Sequence, residues 1–258
     1  MRQVSEASER WLSALESRHL ADLTFSEVVR ALRALSSNYV ERRERLARSS
    51  AFDSTGKRAA YALYYGPLHF LTVTHVAQAL RLGDRPPRHI LDLGCGGGAA
   101  GAAWATAVSP AARITGVDEH PWALREASFT YRTFDLDART TRGDAARVQI
   151  PRSVDAVMAG WTVNELDAKG RDALLRTLHQ PAARGLQILI VEPIATRVSP
   201  WWTQWTDAFA PIGARSDEWR FRVELPDLVA RLARAAGLRH DELKARSLYV
   251  TAGTQVAR

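Results

Sequence analysis

The stretch His89-Ile-Leu-Asp-Leu-Gly-Cys-Gly-Gly-Gly98 combines an apolar run, a carboxylate and a dense set of glycines. The apolar run predicts a short strand, the glycines a turn, and the alanine-rich residues behind them a helix. Glycines let the chain turn tightly and let a ligand come close to the main chain. The helix start behind them offers unpaired N–H groups and the positive end of its dipole. Two frames compete for the ligand. Gly96-x-Gly98-x-x-Gly101 satisfies the dinucleotide fingerprint. Asp92-x-Gly94-x-Gly96-x-Gly98 instead puts a carboxylate ahead of alternating glycines. A carboxylate at a strand end repels a pyrophosphate and attracts an ammonium. The Gly96 frame also begins too far beyond the apolar strand for the tight dinucleotide turn. The Asp92 frame is preferred.

That frame resembles the first motif of class I S-adenosylmethionine-dependent methyltransferases. The resemblance implies S-adenosyl-L-methionine as cofactor, held by Asp92, Gly94, Cys95, Gly96 and Gly98. Ile114-Thr-Gly-Val-Asp118 ends a second apolar run in an acid, 20 residues after Gly98. A carboxylate there can accept both ribose hydroxyls, with Glu119 beside it. Gly143-Asp144-Ala145 resembles the methyltransferase segment whose acid and following amide, here Asp144 and Ala145, bind adenine. Trp161-Thr-Val-Asn-Glu165 falls where methyltransferases place residues near the donated methyl. Trp161 would wall the methionine or the target; a core tryptophan is the alternative, and Glu165 could simply be a charge at a helix start.

Three further stretches resemble the methyltransferase-like family associated with the small ribosomal subunit: Tyr61–His69, Trp161–Leu166 and Ile190–Pro193. This implies ribosomal RNA or a ribosome-associated target. The chain departs from mitochondrial members, whose cysteines can hold an iron–sulfur cluster, because Cys95 is its one cysteine. A small-molecule O- or N-methyltransferase and a non-catalytic assembly factor that keeps the cofactor fold are the alternatives. The methyl acceptor and the oligomeric state are not identified by the sequence.

The elements that must position these residues form an α/β, doubly wound, mostly parallel Rossmann-like sheet with a helical N-terminal extension. Residues 1–85 are expected to be that extension or lid, and residues 86–258 the cofactor-binding domain. The breaker cluster Gly83–Pro87 divides them. Thr24 or Ser26 is expected to cap a helix with Glu27 in its first turn. Tyr61–Leu80 is expected as two helical pieces interrupted at Gly66-Pro67. Strands are expected at His89–Leu93, Arg113–Val117, Arg139–Arg142, Ser153–Gly160 and Leu186–Val191, alternating with helices. Arg246–Ala252 is expected as a final edge strand. Trp201, Trp202 and Trp205 either cover the acceptor pocket or pack on the sheet.

The chain has 258 residues and a net charge of +7. Residues 1–88 hold 14 basic and 9 acidic side chains, so most of the excess lies in the N-terminal third. Arg42, Arg43, Arg45 and Arg48 make that segment a candidate for phosphate contact. A single cysteine excludes an internal disulfide and thiolate-rich metal sites, and no metal is expected. No apolar run is long enough for a membrane span, and a cytoplasmic protein is expected. Methyl transfer needs no large catalytic constellation, and none is evident. His69 and Tyr65 are candidate target-side groups, and His120 a neighbour of the ribose. Residues 1–57 are expected to be removable without loss of cofactor binding.

Overall fold

The structure, a computed structural model, describes residues 6–41, 52–195, 199–238 and 242–251. The arginines at 42, 43, 45 and 48 lie outside the described residues. Helices α1 (Glu6–His19) and α2 (Phe25–Glu41) open the chain. Thr24 caps α2 with Glu27: the Glu27 carboxylate accepts from the Thr24 N–H and hydroxyl, at 2.8 and 2.7 Å. This is a capping box, in which two groups left open at a helix start satisfy each other.

A longer helical run follows: α3 (Thr55–Ala60), a π turn at Tyr61–Tyr65, and α4 (Gly66–Ala79). The expected interruption at Gly66-Pro67 does not occur. The Gly66 N–H donates five residues back to the Tyr61 carbonyl, so the helix widens by one residue just before Pro67. Proline is tolerated in the first turn behind such a register shift because its missing N–H is not called on there.

Among the described residues, seven strands then build the sheet in the order β3-β2-β1-β4-β5-β7-β6. They are β1 (His89–Leu93), β2 (Arg113–Asp118), β3 (Ala138–Arg142), β4 (Ala156–Gly160), β5 (Gln187–Glu192), β6 (Arg215–Phe221) and β7 (Leu243–Val250). The first five pair in parallel, and β7 pairs antiparallel with both β5 and β6. Helices α5 (Ala99–Thr106), α6 (Pro121–Thr133), α7 (Ala168–Ala183), α8 (Trp202–Phe209) and α9 (Asp227–Ala236) flank it. The expected edge strand β7 is interior. The edge is β6, whose alternating charges (RSDEWRF) hide a strand from a hydrophobicity pattern but suit an edge exposed to water.

The pleat sends alternate residues to two cores. Ile90, Ile114, Ala156 and Met158 face one, with Trp104 of α5 and Ala127 of α6. Leu91, Leu93, Val157 and Ile190 face the other, with Leu174 and Leu178 of α7 and Trp205 of α8. Trp11, Leu15, Val28 and Leu32 of α1 and α2 belong to the first core, so the N-terminal helices share their burial with the sheet. Trp201, Trp202 and Trp205 lie in the second core. They pack on the sheet rather than cover an acceptor pocket, because indole rings bury large apolar area most readily against a sheet face.

Candidate active site at the carboxyl ends of the strands

The parallel strands bring Leu93, Asp118, Gly160 and Glu192 to one edge of the sheet. At the end of β1 the chain turns through Gly94, Gly96 and Gly98, with φ of +60°, +52° and +80°. All three are left-handed, which side chains disfavour. Gly98 leads directly into α5, leaving the N–H groups of that helix start beside the turn. The turn is closed by Gly98 N–H on the Cys95 carbonyl (2.8 Å) and tied to β2 by Cys95 N–H on the Val117 carbonyl (3.0 Å).

Asp92 is not where a ligand's ammonium could meet it. Its side chain shares the pleat face of Ile90, beneath α5, and is 1% exposed. It accepts from the Tyr131 hydroxyl at 3.1 Å. A Cβ on Gly101 would lie 2.4 Å from its Oδ2, so the third glycine of the dinucleotide frame serves to admit this carboxyl. Burial pushes Asp92 up to about 7, against the opposing pull of the Tyr131 and Gly101 hydrogen bonds. Cys95 is also turned inward, with its sulfur 3.0 Å from where a Gly116 Cβ would stand. It meets the turn's outer side through its backbone alone.

Asp118 stands at the end of β2 and is 4% exposed. Its Oδ2 accepts from the Gly96 N–H at 3.0 Å and its Oδ1 from the His120 N–H at 2.9 Å. Each oxygen retains lone-pair capacity for a ligand hydroxyl. Glu119 is exposed beside it. Beyond β3, the Asp144 carboxylate caps a short turn by accepting from the Ala146 N–H at 2.8 Å, and Ala145 is buried. The Gly143 N–H bonds the Asp118 carbonyl at 3.1 Å, which joins the two segments.

Trp161 follows β4 in a left-handed conformation, φ +53°. For a bulky residue this is an outlier that costs about 1–3 kcal/mol and marks functional sites more often than plain cores. Its ring stacks on His69 of α4, with centroids 3.7 Å apart and planes 10° apart. The His69 ring is held neutral: burial pushes it down to about 3. Tyr61 and Tyr65 stand 6.1 and 6.3 Å from the same imidazole. Tyr61 also reaches the glycine turn, where a Cβ on Gly96 would be 2.7 Å from its hydroxyl. The π turn thus aims residues from the N-terminal helices at the carboxyl ends of β1 and β4.

The segment after β4 is anchored three ways. The Trp161 N–H donates to the Val191 carbonyl (2.7 Å) and the Thr162 hydroxyl to the Leu93 carbonyl (2.9 Å). The Val163 and Asn164 N–H groups donate to Oε1 of Glu192, at 2.8 and 3.1 Å. Glu165 is exposed, and its N–H donates to the Thr162 carbonyl at 3.1 Å. Tyr61, Thr162 and Glu192 were not singled out one by one in the sequence, although each lies in a stretch quoted for its resemblance: Tyr61–His69, Trp161–Leu166 and Ile190–Pro193. Among the described residues no three His, Cys, Asp or Glu side chains group as metal ligands, and no helix is long and apolar enough to cross a membrane.

Residues 90–185 match a family described as a methyltransferase domain. No curated protein matches the chain. Among solved structures, the chain is similar to a putative O-methyltransferase from Nostoc punctiforme, with TM-score 0.54 and 16% identity over 95% of this chain and 72% of the other. It is also similar to the N-methyltransferase NodS from Bradyrhizobium japonicum in complex with S-adenosylhomocysteine (TM-score 0.50, 12% identity, 86% and 98% covered). A third similar structure is the plantazolicin methyltransferase BamL in complex with a triazolic desmethylPZN analogue and S-adenosylhomocysteine (0.50, 12%, 85% and 97%). At these identities the likeness speaks to the fold, and that fold is the one built here around the glycine turn. Residues 90–185, which hold the glycine turn, Asp118 and Trp161, are thus similar to a methyltransferase domain.

Proposed function

We propose that the chain methylates a small-molecule acceptor that enters beneath the α3–α4 run. The observation that carries this is the ring wall of Tyr61, Tyr65, His69 and Trp161 at the ends of β1 and β4. With His69 neutral, no member of that wall is charged. Such a surface suits a flat or apolar group more than a phosphate backbone, which calls for lysine and arginine. Residues 1–85 act as the extension that supplies the wall, and residues 86–258 as the cofactor domain.

S-adenosylmethionine, when bound, supplies a methyl group already activated on a sulfonium. The protein's task is then to bind, orient and exclude water. In this reading the main chain at Gly94, Cys95, Gly96 and Gly98 receives the methionine end, and Asp92 holds the turn's floor. The Tyr61 hydroxyl, over Gly96, would border the methionine end. Asp118 accepts the ribose hydroxyls with Glu119 at its flank, and Asp144 and the Ala145 amide receive adenine. Trp161 walls the reacting end. The fit rests on the left-handed glycines, whose turn leads straight into the N-terminus of α5, and on an acid at the end of β2.

Calorimetry with S-adenosylhomocysteine and with NAD tests the cofactor. Incubation of the protein with methyl-tritiated S-adenosylmethionine and a cell extract, fractionated into metabolites, RNA and protein, tests the acceptor. Binding of S-adenosylhomocysteine and label among the metabolites are expected. NAD binding without S-adenosylhomocysteine binding overturns the cofactor assignment. Label in RNA would favour the ribosomal reading instead, and bound cofactor without label in any fraction a non-catalytic factor.

A further inference from the structure

We infer that Glu192 is the positioning residue for the acceptor side of the site, acting through Trp161; this rests on the function proposed above. Glu192 closes β5 and is fully buried. One of its oxygens accepts the N–H groups two and three residues after the strained Trp161, from Val163 at 2.8 Å and Asn164 at 3.1 Å. A single acceptor shared by consecutive N–H groups fixes the direction of the chain there, as a capping side chain does at a helix start.

The strain needs such an anchor. Left to itself, a tryptophan returns from φ +53° to the extended or right-handed region. The Trp161 N–H on Val191 holds its near side. On the far side the Thr162 hydroxyl bonds Leu93, and Glu192 holds the two N–H groups beyond it. The Asn164 side chain then accepts from the Ser199 hydroxyl at 2.9 Å and from the Trp201 indole at 2.8 Å, extending the same tie into the second core. With the far side released, Trp161 can relax, and its ring leaves the stack on His69 and the end of β4.

Glu192 has a second neighbour. Its partner across the strands is Arg246, 4% exposed. A role confined to balancing that buried guanidinium would need the charge of Glu192, whereas the positioning role needs the location of its oxygen. Two variants separate these. E192Q loses the charge but keeps an acceptor oxygen in place. E192D keeps the charge but draws the oxygen back by one methylene, out of reach of both N–H groups.

The readout is the Trp161 indole N–H signal in nitrogen–proton correlation spectra, assigned by its loss in Trp161→Phe and followed during titration with S-adenosylhomocysteine. Wild type and E192Q are expected to show the same cofactor-dependent shift of this signal. E192D is expected to lose the shift and to exchange the Val163 and Asn164 amides at least about tenfold faster, as removal of a bond to a charged group implies. The reverse pattern, E192D intact and E192Q lost, overturns the inference in favour of charge balance. If E192D does not fold, E192Q alone decides, because loss of the shift there refutes positioning by the oxygen. S-adenosylhomocysteine that binds by calorimetry without moving the wild-type Trp161 signal also overturns it. No binding at all refutes the proposed function instead.

Discussion

Replacing Asp118 tests the cofactor assignment and the construction of the turn together. Its carboxylate accepts from Gly96 N–H at 3.0 Å and from His120 N–H at 2.9 Å, and it is 4% exposed. Bonds to a charged group contribute about 1.5–3 kcal/mol each, so Asp118→Ala, which removes both, costs about 3–6 kcal/mol. Asp118→Asn keeps one acceptor but turns an NH2 toward one of the two N–H groups, and costs about half as much. A domain stability of about 5–15 kcal/mol leaves the asparagine variant folded. At roughly 2–4 °C per kcal/mol for a chain of this size, its melting temperature falls by about 3–12 °C. Losing the ribose acceptor weakens S-adenosylhomocysteine by a further factor of about 10–150. Thermal melts and calorimetry on Asp118→Asn measure the two effects. A 3′-deoxyribose analogue completes the cycle, because it should lose much less affinity in the variant than in wild type. A folded variant with wild-type melting and wild-type affinity would refute both the anchoring of Gly96 and the ribose contact.

Removal of residues 1–57 is expected to damage the cofactor domain, contrary to the expectation from the sequence that they are removable without loss of cofactor binding. Arg18 and His19 of α1 meet the buried Glu126 of α6 at 3.3 and 2.7 Å, and the Glu126 side chain lies 3.6 Å from where a Gly97 Cβ would stand. Stranding that carboxylate costs about 3–5 kcal/mol; a truncated protein with an unchanged melting temperature, or one that Glu126→Gln does not partly rescue, would contradict this. For Asp92 the folded-state value, about 7, lies above the unfolded 3.8, so the native state holds the proton more tightly and its contribution to stability is lost as pH rises from about 4 through 7. Asp92→Asn, already neutral, should show a flatter fall in melting temperature between pH 5 and 8, and an unaltered slope would count against the burial of this group. Gly101→Ala should destabilise by about 1–3 kcal/mol, since the new methyl meets Asp92 at 2.4 Å and Ile114 at 2.5 Å; a denaturant midpoint equal to wild type would refute that close approach.

The core of the fold was legible because its signals are local. A parallel strand buried on both faces reads as an apolar run, a left-handed turn asks for glycine, and an acid at the end of β2 is a matter of counting. Hence His89–Leu93, Gly94, Gly96, Gly98 and Asp118 could be placed from sequence. The β6 edge could not, because a water-facing edge strand carries charges and shows no apolar period. The Gly66-Pro67 pair was misleading, because the π turn that accommodates it depends on a hydrogen bond five residues long. The direction in which Asp92 points was settled by the pleat of β1 and by the space that Gly101 leaves, and neither is visible in the Asp92-x-Gly94 spacing. Glu192, Thr162 and Tyr61 lie far from one another in sequence, and nothing in the three stretches that hold them says that they meet. Strand order and helix docking bring them to one edge of the sheet, so only the tertiary structure decided which side chains surround Trp161, whereas the sequence by itself determined where the glycine turn after β1 would form, because left-handed backbone asks for glycine.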